Sequence, residues 1–144
     1  MEIKYDNSKK LIYDDKYFIT KTINEINVSD LIMIGNNVCK ILNKNMSYDN
    51  IKIFIKCINI FNDTKCDDIL YNEQIVYIPI IAIKTYEFIC INCKFIKLYD
   101  AYTHSIRKIK IDLQLDEFII NRINDESEIK TIEFKNLIRI IDIL

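Results

Sequence analysis

The chain has 144 residues, half of them apolar, enough to bury a core without disulfide or metal staples, and its length fits a single domain over 1–144. Twenty basic and 21 acidic side chains leave a net charge of -1, so the totals exclude a general polyanion binder and an acidic disordered tail. A single glycine excludes the glycine-rich loops that cradle phosphates in the common nucleotide-binding motifs.

In chain order, residues 2–26 read as two or three hairpin strands, KLIY and KYFITKTI among them, with turn chemistry at Asp6-Asn7-Ser8 and Asp14-Asp15-Lys16. The next segment changes period. Val28, Leu31, Ile32, Gly35, Val38, Cys39 and Leu42 fall at helical spacing, which predicts an amphipathic helix over about 28–43 with Asn27 or Ser29 as its cap. Gly35 lies on the apolar stripe of that helix, where close packing against another backbone would explain it. Residues 47–63 fit two patterns. As a strand, Ile51, Ile53, Ile55 and Cys57 oppose Lys52, Phe54 and Lys56; a polar helical stripe from Asp49 to Asp63 competes, and the strand is preferred.

A polar turn at 62–68 is followed by the extended stretch ILYNEQIVYIPIIAIK, in which Pro79 marks an edge strand or a strand end. Residues 84–99 keep neither period throughout, which a hairpin turning near Asn92 would resolve. IRKIKIDLQLDEF is the cleanest strand, with Ile109, Ile111, Leu113 and Leu115 alternating with polar residues. Short helices are expected at DEFIINRI and near the carboxyl end, where Phe134, Leu137, Ile138, Ile141 and Leu144 repeat helically. The fold class read from this order is α+β: a mainly antiparallel sheet carrying the 28–43 helix, compatible with a β-grasp-like amino-terminal half, plus short carboxyl-terminal helices.

Residue usage is skewed. Isoleucine supplies nearly a quarter of the chain and Lys outnumbers Arg seventeen to three, as expected of an A/T-rich genome, which weakens isoleucine as a vote for strand. The amino terminus has no signal-peptide pattern, and the longest apolar run, 75–83, is too short to span a bilayer, so an intracellular, cytoplasmic setting without a membrane partner is expected. Five cysteines in such a chain read as reduced thiols.

Cys90 and Cys93 form a C-x-x-C pair, but no second pair exists to complete four zinc ligands. A site adding His104 and Cys66 or Cys57 is conceivable; packing around a hairpin bend is the preferred reading, and no metal or cofactor is expected. His104, the only histidine, sits among Tyr102, Thr103 and Ser105, a setting in which a nucleophile and base could meet. Residues 84–110 carry six cations against two acids, interleaved with aromatics, while 111–128 carry six acids against Arg122. Lys94, Lys97, Arg107, Lys108, Lys110 and Tyr99 are thus a candidate nucleic-acid patch, cations for phosphates and a ring for stacking.

The absence of catalytic motifs favours a non-catalytic protein–protein interaction or structural accessory protein, of the virus-encoded kind, binding a partner protein or itself. The alternative is a small nucleic-acid-binding protein using 84–110. A further alternative is an enzyme with dispersed residues around His104.

Overall fold

The computed structural model describes residues 4–5, 11–12, 16–92, 94–110 and 121–144, and shows an all-β chain that divides into two compact units, 1–80 and 81–144. Among the described residues the only helical element is a 3-10 turn at Ile23–Glu25, and no helix is long and apolar enough to cross a membrane.

The first unit contains β1 (Lys4–Tyr5), β2 (Leu11–Ile12), β3 (Phe18–Thr22), β4 (Leu31–Ile34), β5 (Asn37–Met46), β6 (Lys52–Asn59), β7 (Asp68–Tyr71) and β8 (Ile75–Pro79). β1 pairs with β2, β3 with β8, and β4-β5-β6-β7 form a four-stranded antiparallel sheet. Alternation on β6 sets its faces: Ile53, Ile55 and Cys57 are buried, and the residues between them are exposed. Those three pack with Ile23, Ile26, Ile32, Cys39, Ile41, Leu70 and Val76 into one core. Pro79 is the last residue of β8, opposite Phe18 in a two-stranded pair, where its missing N–H interrupts no inner ladder.

The expected 28–43 helix is instead the β4–β5 hairpin, which corrects the α+β reading and the β-grasp-like arrangement with it. Ile34 and Asn37 pair directly, so Gly35-Asn36 is a two-residue turn, and Gly35 sits at φ +58°. Glycine is there for its backbone, since a Cβ at this position would meet nothing within 4 Å. The packing explanation of Gly35 is therefore also corrected.

The second unit contains β9 (Ala82–Ile91), β10 (Phe95–Asp100), β11 (Ser105–Lys110), β12 (Glu128–Phe134) and β13 (Leu137–Ile143), in the order β11-β10-β9-β12-β13, antiparallel throughout. Its core gathers Tyr86, Ile96, Leu98, Ile109, Ile129, Ile140 and Ile143. The turn between β9 and β10 does centre on Asn92. Its side-chain oxygen accepts from the N–H groups of Lys94 and Phe95, both at 2.8 Å, and its own N–H reaches the Phe95 carbonyl at 2.9 Å.

The expected carboxyl-terminal helix is the β12–β13 hairpin, with Phe134 opposite Leu137 and a turn at Lys135, φ +54°. The DEFIINRI helix and the strand continuation at Ile111, Leu113 and Leu115 fall on residues 111–120, outside the described residues; Asn121 and Arg122 lie in a turn. The turns expected at 6–8 and 14–15 also lie outside the described residues.

Candidate nucleic-acid interface

The hairpin ladder of β10 and β11 decides which residues of the basic segment share a face. Ile96 lies opposite Ile109, Lys97 opposite Lys108, and Phe95 opposite Lys110. Ile96 and Leu98 are fully buried, so their neighbours Phe95, Lys97 and Tyr99 point to the other side of the sheet, together with Lys108 and Lys110 of β11. Three lysines and two aromatic rings thus stand on one outer face. The Lys108 ammonium lies 5.3 Å from the Phe95 ring centroid, a cation–π distance. Lys94 is exposed in the adjoining turn. The face covers three strands and about five residues of β10, roughly 10 Å by 15 Å, room for two or three nucleotides.

Arg107 does not belong to that face. Opposite Leu98, it points inward, where its Nη1 lies 2.8 Å from Glu133 Oε1. Glu133 is buried and accepts also from the hydroxyls of Tyr86 at 2.7 Å and Thr131 at 3.2 Å. Burial, then the neighbouring Glu133 carboxylate, pushes the Tyr86 hydroxyl well above its usual pKa. This cluster satisfies a carboxylate inside the sheet; the sequence offered no signal linking residues 26 positions apart.

Beyond the basic end, the same outer face turns acidic. Tyr99 lies opposite Glu87, and Glu87 opposite Glu128 on β12. The excess of positive charge on this face therefore lies at its lysine end. Most of the acidic run 111–128 lies outside the described residues.

His104 sits at the β10–β11 turn with φ +55° and is exposed. Its Nδ1 lies 2.9 Å from the Tyr99 hydroxyl, while the Thr103 and Ser105 hydroxyls bond each other at 2.6 Å. The ring therefore tethers an aromatic of the outer face, and neither aliphatic hydroxyl is engaged by it. Asp100 holds the turn by accepting from the N–H groups of Tyr102 at 2.9 Å and Thr103 at 3.3 Å. Burial works to raise its pKa, but these bonds outweigh burial and keep the carboxyl below its usual value. A cleft of about 370 Å³ beside it is lined by Ile83, Lys84, Thr85, Asp100, Tyr102 and Thr103.

Cys90 is exposed and opposite Lys97, so it belongs to the outer face rather than to the core; Cys93 lies outside the described residues. Cys39 and Cys57 are buried in the first unit with Cys66 against them. Among the described residues no three His, Cys, Asp or Glu side chains are gathered as a metal site.

No family model matches the sequence, and no curated protein does. Solved structures do. The chain is similar to eukaryotic translation initiation factor 5A from Methanococcus jannaschii, with TM-score 0.72 and 16% identity over 89% of this chain and 98% of that one. It is also similar to a translation initiation factor eIF-5A family protein from Naegleria fowleri ATCC 30863, with TM-score 0.71 and 18% identity over 88% and 98%. These neighbours correct two expectations: the fold they share is β rather than α+β, and they are translation factors rather than virus-encoded accessory proteins. At 16% and 18% identity, what the chain shares with both factors is their fold, across nearly their whole length.

Proposed function

We propose that this chain is a non-enzymatic translation factor that works inside the cell by binding RNA, with the lysine end of the β9–β11 face as a contact. The observation that carries the reading is the similarity to two translation initiation factors over 98% of their chains, because it spans both units rather than one widespread module. The face adds a mechanism. Lysines at 97, 108 and 110 neutralise phosphates, and Phe95 and Tyr99 offer rings to unstacked bases. No cofactor or covalent step is assigned to it.

Fluorescence anisotropy with a labelled oligouridine, repeated across a salt series, tests the RNA contact. The K97Q/K108Q/K110Q variant is expected to bind at least tenfold more weakly at low salt, with a log–log salt slope shallower by about 2, since each lysine lost removes about 0.7. Equal binding by wild type and variant would refute this contact. Co-sedimentation of the chain with ribosomes through a sucrose cushion tests the translation role; a chain that stays wholly in the supernatant at low salt would count against it.

A further inference from the structure

We infer that the outer face of β5–β6–β7, in the first unit, is a second surface for single-stranded RNA. The sequence totals hide it, because the acids among the described residues of this unit lie in turns, in loops and at a strand end, while Lys40, Lys52 and Lys56 stand on the sheet. Since Ile53, Ile55 and Cys57 face the core, Lys52, Phe54 and Lys56 stand in a row on the opposite side. Lys52 and Lys56 are about 13 Å apart with the ring midway between them.

A bulge on β5 makes the neighbouring strand match. Ile41 is buried opposite Cys57, and the register then shifts between Ile41 and Asn43, so that Asn43 lies opposite Lys56 and Asn45 opposite Phe54. Before the bulge, Lys40 lies opposite Ile58 on the same outer side. From Lys40 onward the outward positions of β5 and β6 therefore carry three lysines, two asparagines whose amides bond each other at 3.0 Å, a phenylalanine and Ile58, with Leu42 exposed at the bulge and no carboxylate. On β7, Ile69 lies opposite Phe54 and Tyr71 opposite Lys52; they are 54% and 60% exposed, and Phe54 is 43% exposed.

The acids lie elsewhere. Asp68 is opposite Ile55, on the other parity of β7, and the Asp67 carboxylate accepts the Cys57 N–H at 3.2 Å. Asp49, in the β5–β6 turn, is a carboxylate that interacts with Lys52. It is held below its usual pKa by the Ser47 hydroxyl and the Ile51 N–H, with a smaller contribution from Lys52. Among the described residues Lys40, Lys52 and Lys56 make no ion pair.

An apolar protein partner would gain little from burying three lysines without carboxylates of its own, whereas a polyanion with stackable bases uses both the charges and the rings. The arrangement also mirrors the second unit in chemistry: cation–ring–cation on β6, ring–cation–ring on β10. RNA as the ligand rests on the function proposed above; the location of this face does not.

The test is the same labelled oligouridine in a salt series with the full chain, comparing wild type, K40Q/K52Q/K56Q, and F54A, each checked by thermal unfolding. The lysine variant is expected to bind at least tenfold more weakly at low salt, with the slope shallower by about 2. F54A is expected to lose about tenfold through stacking. If K40Q/K52Q/K56Q binds as wild type while K97Q/K108Q/K110Q does not, this face is not an RNA surface and the functional reading stands. If wild-type chain fails to bind at low salt, both fall.

Discussion

The Tyr86 hydroxyl on β9 donates to Glu133 Oε2 on β12 at 2.7 Å, and Arg107 on β11 reaches the other carboxylate oxygen at 2.8 Å. Three strands of the second unit are tied through one buried carboxylate. Tyr86→Phe keeps the ring and removes the donor, leaving Glu133 with Arg107 and Thr131. It is expected to lower the unfolding free energy by about 1–3 kcal/mol in urea titrations. No change would mean that Arg107 and Thr131 satisfy the carboxylate alone.

Alkaline pH should destabilise the first unit through its buried thiols. Burial, with Asp67 nearby, pushes Cys57 up to about 11 from its usual 9.0, and burial with the Cys66 contact pushes Cys39 higher still. Both thiols are raised in the folded chain, so the unfolded chain loses protons first. Their contribution is present below pH 9 and is lost as pH rises toward 11 and beyond, on the order of 2 kcal/mol for Cys57. Thermal unfolding midpoints measured from pH 7 to pH 11 check this, and C39A/C57A should flatten the alkaline limb.

Lys44 closes the 3-10 turn from outside. Its Nζ donates to the carbonyls of Ile23 at 2.8 Å and Ile26 at 2.7 Å, both residues fully or almost fully buried. Lys44→Met preserves the stem, removes the lysine donor from the Ile26 carbonyl and leaves the Ile23 carbonyl with the Ile26 N–H alone. A loss of about 2 kcal/mol is expected, the scale of hydrogen bonds to a charged group, with faster amide exchange at Ile26, whose N–H bonds the Ile23 carbonyl.

Gly35→Ala isolates backbone strain. With nothing within 4 Å of the added Cβ, the cost is that of the left-handed conformation alone, about 1 kcal/mol, and Gly35→Asn should cost less. A loss above about 3 kcal/mol in either variant would point to a steric clash instead.

Glu87 and Glu128 face each other across β9 and β12, a like-charge pair on an exposed ladder. Glu128→Gln should stabilise the second unit by up to about 1 kcal/mol at low salt, fading as salt rises. It should also tighten oligouridine binding, because it weakens the acidic end of the β9–β11 face.

Where two faces of a strand differ in chemistry, the sequence pointed to the strand, although over 47–63 a polar helical stripe competed with it. The Ile53, Ile55, Cys57 side of β6, the buried Ile109 between exposed Lys108 and Lys110, the strand end at Pro79 and the turn at Asn92 follow from period 2, a missing N–H and an Asx side chain. The helices at 28–43 and near 134–144 failed for a shared reason. Two strands folded about a two-residue turn place apolar residues three and four apart on either side of the bend, which imitates one face of a helix. Gly35-Asn36 was the available signal against the first, and the only glycine of the chain carried it; the second turn, Lys135-Asn136, has no glycine. The basic segment was legible as composition, but its division was not. Pairing across the β10–β11 ladder sent Lys97, Lys108 and Lys110 outward and Arg107 inward to Glu133, because a residue's face depends on its partner strand and on each bulge between them.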